Sequence, residues 1–127
     1  CTALYAVPTM FVAMLQELDT HPRDLKSMRT GIMAGAPCPT EIMKRVNSEM
    51  NMGEGTICYG MTETAPVSFQ SFVDDPTNKR CETVGRVHPH LEVKLVDQSG
   101  QAVPVGAQGE LWTRGYSVMK GYWGDSE

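Results

Sequence analysis

Long apolar stretches are missing from this 127-residue sequence: the most extended, Ala3 to Val7 and Met10 to Leu15, fall far short of the roughly 18 residues a membrane-spanning helix needs. Excess positive charge is missing as well. Eleven Lys and Arg face fifteen Asp and Glu, a net charge of −4, and no basic cluster could follow a phosphate backbone, so no nucleic-acid partner is expected. Cysteines number four, Cys1, Cys38, Cys58 and Cys81, without a C-x-x-C pair or zinc spacing. Free thiols are therefore expected, with Cys58 filling a core position inside an apolar run. No G-x-G-x-x-G fingerprint is present, which argues against a Rossmann oxidoreductase. The N-terminus lacks an initiator Met and any basic region leading into a long apolar core, so no secretory signal is expected. Internal repeats and low-complexity tracts are absent too. What is there, 41% apolar and 20% charged side chains, is the composition of a globular domain.

The first two thirds alternate strand-like and helix-like segments. Thr2 to Val7 reads as a buried strand. Phe11, Met14, Leu15 and Leu18 then fall at i, i+3, i+4 and i+7, an amphipathic helix with Thr9 as its expected N-cap and His21-Pro22 as its end. Gly31 to Ala34 is the next apolar run, followed by Gly35-Ala36-Pro37-Cys38-Pro39, where a glycine and two prolines prohibit regular structure. A second helix is expected from Thr40, with Glu41 in its first turn and Ile42, Val46 and Met50 buried. Thr56 to Tyr59 reads as a third strand ending at Gly60. Ser71 to Glu82 reads as a solvated connection. Beyond it the period becomes two: Leu91, Val93 and Leu95 alternate with Glu92 and Lys94, Asp97 to Gly100 turns the chain, and Val103 to Gly106 and Gly109 to Gly115 supply further extended pieces. The fold class expected is α/β, a partial parallel sheet with crossover helices followed by antiparallel strands of a barrel-like subdomain. Residues 1–80 form the α/β segment that bears the site loops, and 81–127 begin the β subdomain.

In an open α/β sheet, ligands bind outside the carboxyl ends of the strands. Two loops qualify, Gly35-Ala36-Pro37 and Tyr59-Gly60-Met61-Thr62-Glu63-Thr64. A glycine permits close backbone approach, a threonine hydroxyl can meet a phosphate oxygen, a carboxylate can hold Mg²⁺, and a tyrosine offers a flat face to a base. On chemistry alone these residues fit a simple strand-to-loop turn equally well. His88-Pro89-His90 has two imidazoles but no third ligand and reads as a surface turn rather than a metal site.

Taken in order, Gly35-Ala36-Pro37 before a helix, Tyr59-Gly60-Met61-Thr62-Glu63, Val84-Gly85-Arg86, Gly109-Glu110-Leu111 through Gly115, and Gly121-Tyr122-Trp123 resemble the successive signatures of the acyl-adenylate-forming (AMP-binding) enzymes over essentially the whole chain. Met61 stands where peptide-synthetase adenylation domains usually have Pro, and Gly115 to Trp123 is similar to the fatty and medium-chain acyl-CoA synthetases. The resemblance implies an acid–thiol ligase that converts a carboxylic acid and ATP to acyl-AMP and pyrophosphate, then passes the acyl group to CoA. It implies that Gly35, Ala36 and Pro37 line the adenine slot, Tyr59 stacks on the base, and Gly60 and Met61 belong to the nucleotide wall. The resemblance also implies that Thr62 binds the α-phosphate and Glu63 holds Mg²⁺, the two being the catalytic candidates. Ala34 replaces a glycine common among relatives.

The family's Lys-bearing phosphate loop, its ribose-binding Asp and its C-terminal domain with a catalytic Lys have no counterpart in these residues. With Cys1 opening on a strand and Asp125-Ser126-Glu127 following an aromatic pair, an internal segment of a larger enzyme is expected, catalytically incomplete in isolation. The expected partners are a small carboxylic acid, ATP and CoA, in the cytoplasm or, for a eukaryotic source, the mitochondrial matrix. The alternative is a noncatalytic interaction module on the same α/β scaffold.

Overall fold

A computed structural model describes residues 1–125; Ser126 and Glu127, the end of the expected β segment, lie outside the described residues. The chain clusters into two compact units, one of residues 1–59 and 69–86, the other of residues 60–68 and 87–127.

Strands β1 (Ala3–Ala6), β2 (Thr30–Ala34), β3 (Glu54–Tyr59), β4 (Phe69–Gln70) and β5 (Arg86–Val87) are hydrogen-bonded in that order, and the first unit holds β1 to β4 with Arg86 of β5. β1, β2 and β3 are mutually parallel, connected by α1 (Pro8–Thr20) and α2 (Thr40–Glu49). This is the β-α-β-α-β unit that the alternating periods require. Helix α1 starts one residue before the expected cap. Val7 is its N-cap, Thr9 caps nothing, and Pro8 occupies the first helical position, where its missing N–H is no loss. Helix α2 buries Met43 and Val46 and yields at Asn51, whose φ of +55° suits an asparagine and whose side-chain amide donates to the carbonyls of Lys26 and Met28.

The core of this unit joins Phe11 and Leu15 of α1 to Met33, Ile57, Met43, Val46 and three loop methionines, Met28, Met50 and Met52. Gly31 pairs with Gly55 across β2 and β3. A Cβ on Gly31 would lie 1.9 Å from the Leu4 carbonyl oxygen and 2.5 Å from the Met52 methyl, so β1 approaches and Met52 packs down because no side chain stands there.

Residues 71–82, read from sequence as a solvated connection, are ordered. Thr77–Glu82 form a short helix, α3, on which Arg80 is buried and donates to the carbonyls of Gly53 and Gly55. Asp75 is buried as well. One of its oxygens accepts from the Phe72 amide at 2.9 Å, the other from Lys79 and Arg86 at 3.2 Å each, and the Arg86 guanidinium lies 4.4 Å from the Phe72 ring centre. Its carboxyl titrates below the usual range, first because of the Phe72 amide, then because of the two cations. Gly85 has φ +84° and faces the Gln70–Ser71 backbone so closely that a Cβ would meet it at about 2.2 Å. Gly85 and Arg86 of the Val84-Gly85-Arg86 element thus fasten β4 and the 72–75 turn.

The second unit holds an antiparallel pair, β6 (Leu91–Val96) and β7 (Glu110–Gly115). Cross-strand partners Glu92 and Arg114 form an ion pair, and Lys94 lies over the Trp112 ring. Asp97 accepts from the amides of Ser99 and Gln101 and from the Ser99 hydroxyl, making the expected turn. Val103 to Gly106 is not a strand: Ala102 alone bridges Val96, and Val105-Gly106 turns. Among the described residues no helix is long and apolar enough to cross a membrane.

Candidate functional site

The candidate residues are distributed over both units, Gly35, Ala36, Pro37 and Tyr59 in the first and Gly60 to Glu63 in the second. In the first, the parallel register pairs Ala34, the last residue of β2, with Cys58, so Gly35 leaves its strand level with Tyr59, the last residue of β3. Gly35 has φ +87°, a conformation that side chains resist, and this turns the chain out of the strand. Gly35, Ala36 and Pro37 are all exposed. Beneath them Cys38 is buried, its thiol 2.9 Å from the Met33 sulfur. Burial, and then the neighbouring Cys81, push its pKa up to about 12, so it is an inert thiol under the loop. Tyr59 is 38% exposed, and its ring and that of Phe69 make a T-shaped contact with centres 5.9 Å apart, which fixes the ring plane.

In the second unit, the 60–68 loop folds back on itself. Gly60 sits against the main chain of Pro66 and Val67, with a Cβ position only 1.8 Å from the Pro66 oxygen. Thr62–Thr64 form one 3₁₀ turn. The Thr64 hydroxyl accepts from the Met61 amide and donates to the Met61 carbonyl at 3.2 and 3.1 Å, so Thr64 is a structural member of the loop. Met61 and Thr62 are exposed. The Tyr122 hydroxyl donates to Glu63 Oε1 at 2.7 Å, and the Met119 amide donates to the Glu63 carbonyl at 2.9 Å. Glu63 is held below the usual carboxylate range, first by the Tyr122 hydroxyl and then by its own backbone amide, while the same bond raises the Tyr122 phenol.

Sequence reasoning did not pair Tyr122 with Glu63. Its partner lies 59 residues away, and no spacing rule reaches that far. The His88-Pro89-His90 turn forms as expected, with His90 at φ +65°. Among the described residues no three His, Cys, Asp or Glu side chains group as metal ligands. A cation at Glu63 would therefore have one protein carboxylate, and the rest of its shell would come from phosphate oxygens and water. That is how Mg²⁺ is usually held, so the donor set fits it.

Parallel strands joined by crossover helices make this an α/β protein, and the exposed, glycine-bearing loops after β2 and β3 stand where open α/β sheets take their ligands. The chain belongs to the AMP-binding enzyme family, whose model matches residues 1–123. It is 48% identical over 128 residues to the medium-chain acyl-CoA ligase ACSF2, mitochondrial, of Danio rerio, a match spanning 100% of this chain and 21% of that protein. It is 46% identical over 127 residues to the acyl-CoA ligase sidI of Aspergillus fumigatus, spanning 100% and 22%. The benzoate CoA ligase of Burkholderia xenovorans LB400 superposes with a TM-score of 0.82 at 28% identity, covering 98% of this chain and 24% of that one. The chain thus spans less than a quarter of the length of these three relatives.

Proposed function

We propose that the chain supplies the nucleotide side of an ATP-dependent carboxylic acid–CoA ligase of the fatty acyl type, working through an acyl-adenylate. The observation that supports it best is the register of β2 and β3, which brings Gly35, the first residue of the Gly35-Ala36-Pro37 loop, level with the part-exposed Tyr59. A flat ring next to an exposed backbone suits a purine: the ring stacks, and loop amides and carbonyls meet the base edge.

In this reading Gly35, Ala36 and Pro37 border the adenine and Tyr59 stacks on it. Gly60 and Met61 belong to the nucleotide wall, where the missing side chain of Gly60 lets the Pro66–Val67 main chain close against it. Thr62 donates its hydroxyl to an α-phosphate oxygen, and Glu63 holds Mg²⁺. When bound, Mg²⁺ neutralises phosphate charge and orients the triphosphate. The acid's carboxylate oxygen attacks the α-phosphorus and pyrophosphate leaves; the thiol sulfur of CoA then attacks the acyl carbonyl, AMP leaves, and the thiol proton passes to solvent. Such chemistry needs two anions brought together and little covalent help, so positioning by Thr62 and the loop backbones is the chain's contribution. A cytoplasmic or mitochondrial matrix location agrees with this substrate set.

The test is a titration of the 127-residue protein with ATP and Mg²⁺, followed by amide NMR. Shifts at residues 35–37, Tyr59 and Thr62 are expected, without ATP–pyrophosphate exchange. An unchanged spectrum at those positions would return the chain to an interaction module, and measurable exchange would refute its catalytic incompleteness.

A further inference from the structure

We propose that Tyr122 is a positioning residue for Glu63: its hydroxyl takes one carboxylate oxygen and thereby presents the other, in a fixed direction, to the nucleotide-bound cation. The inference rests on the reading of Glu63 as the cation-holding carboxylate and adds a residue to it.

Two bonds converge on Glu63 from one short stretch of chain. The Met119 amide holds its backbone carbonyl at 2.9 Å, and the Tyr122 hydroxyl holds Oε1 at 2.7 Å. The first fixes where the side chain starts and the second fixes where it ends. Between them, Gly121 adopts φ +148°, outside the range side chains favour, and has nothing within 4 Å of its Cβ position; the backbone there turns by means of glycine and not because space is short. The Val118 amide returns to the Gly115 carbonyl at 3.2 Å, closing the turn that delivers Met119 and Tyr122. Tyr122 is half exposed, so its ring adds little to a core; the polar contact is the specific one.

The expected size follows from rotamer counting. A glutamate freed of Tyr122 explores about three staggered wells at each of χ1 and χ2, so its carboxylate points the required way as little as about one-ninth of the time. Apparent affinity falls by the fraction of competent conformers, which makes the loss about three- to ninefold.

Mn²⁺ serves as the probe, titrated alone into the 127-residue protein and read as paramagnetic broadening of the Thr62, Glu63 and Thr64 amide signals. Glu63→Gln abolishes the local broadening. Tyr122→Phe, which removes only the hydroxyl, is expected to raise the Mn²⁺ midpoint about three- to ninefold while the melting temperature and the Met119 amide shift stay at wild-type values. An unchanged midpoint in Tyr122→Phe, with broadening lost in Glu63→Gln, overturns the positioning role and leaves the reading of Glu63 intact. Unchanged broadening in Glu63→Gln overturns both.

Discussion

Gly60→Ala puts a single methyl where the loop has no space for it. The new Cβ would stand 1.8 Å from the Pro66 oxygen, 2.8 Å from its carbonyl carbon and 2.9 Å from the Val67 Cα. Ordinary contact begins at 3.4 Å, so the Pro66 carbonyl must retreat by about 1.6 Å. All three obstacles are main-chain atoms, and no side-chain rotation relieves them. The segment that would have to move has little slack: Pro66 fixes its own φ, Ala65 already sits at φ +47°, and Thr64 is bonded to both main-chain groups of Met61. Overpacking costs about 1–3 kcal/mol, and a backbone obstacle places this substitution near the top of that range. Against a domain stability of about 5–15 kcal/mol, the melting temperature should fall by roughly 10 °C. Thermal melts by circular dichroism, run beside Gly53→Ala, supply the check. Gly53 has nothing within 4 Å of its Cβ position and no positive φ, so its alanine variant should match or exceed the wild type. If Gly60→Ala melts within about 2 °C of Gly53→Ala, the loop yields freely and the steric argument is wrong.

Three further outcomes are expected. Arg80→Met should cost about 1.5–3 kcal/mol in urea unfolding, because the Gly53 and Gly55 carbonyls lose charged donors inside the protein; Arg80→Lys should recover only part, since one ammonium replaces a fork. Asp75 is favoured as the carboxylate in the folded state, so its contribution to stability is complete above about pH 4 and disappears as the pH falls through its lowered folded value. Urea midpoints between pH 2 and 7 should therefore fall more steeply for wild type than for Asp75→Asn, and parallel profiles would contradict the assignment. Burial raises the Cys38 thiol to about 12 and the Cys58 thiol to about 11, so at pH 8 a disulfide reagent should label exposed Cys1 first and reach Cys38 and Cys58 only after unfolding, as peptide mapping would show.

Strands β1 to β3 were legible as short apolar runs and helices α1 and α2 from apolar residues at helical spacing, with stops such as Pro22 after α1 and Gly60 after β3. Helix α3 was not legible. Its six residues are mostly polar, and what buries it is a guanidinium meeting carbonyls more than twenty residues earlier. Asp75 read as solvated for the same reason: Lys79 and Arg86 are visible in the sequence, but their convergence is not. The two-residue strands β4 and β5 have no pattern long enough to detect. For the site, the loops and their residue types were readable from strand ends and glycines. The Tyr122–Glu63 bond was not, because it depends on the turn that returns the chain to Glu63.

The Met52 side chain seated over Gly31 belongs to a larger habit of this core. Five of its residues, Met28, Met33, Met43, Met50 and Met52, are thioethers, while Met10 and Met61 stand in solvent. Peroxide converts a thioether to a sulfoxide at a rate set by access, and a sulfoxide is too polar to return to its place. The chain thus carries a built-in chemical clock. Met10 and Met61 record the intrinsic rate, the buried five record how often the core breathes open, and the ratio at each position reads the free energy of that local opening without a label of any kind.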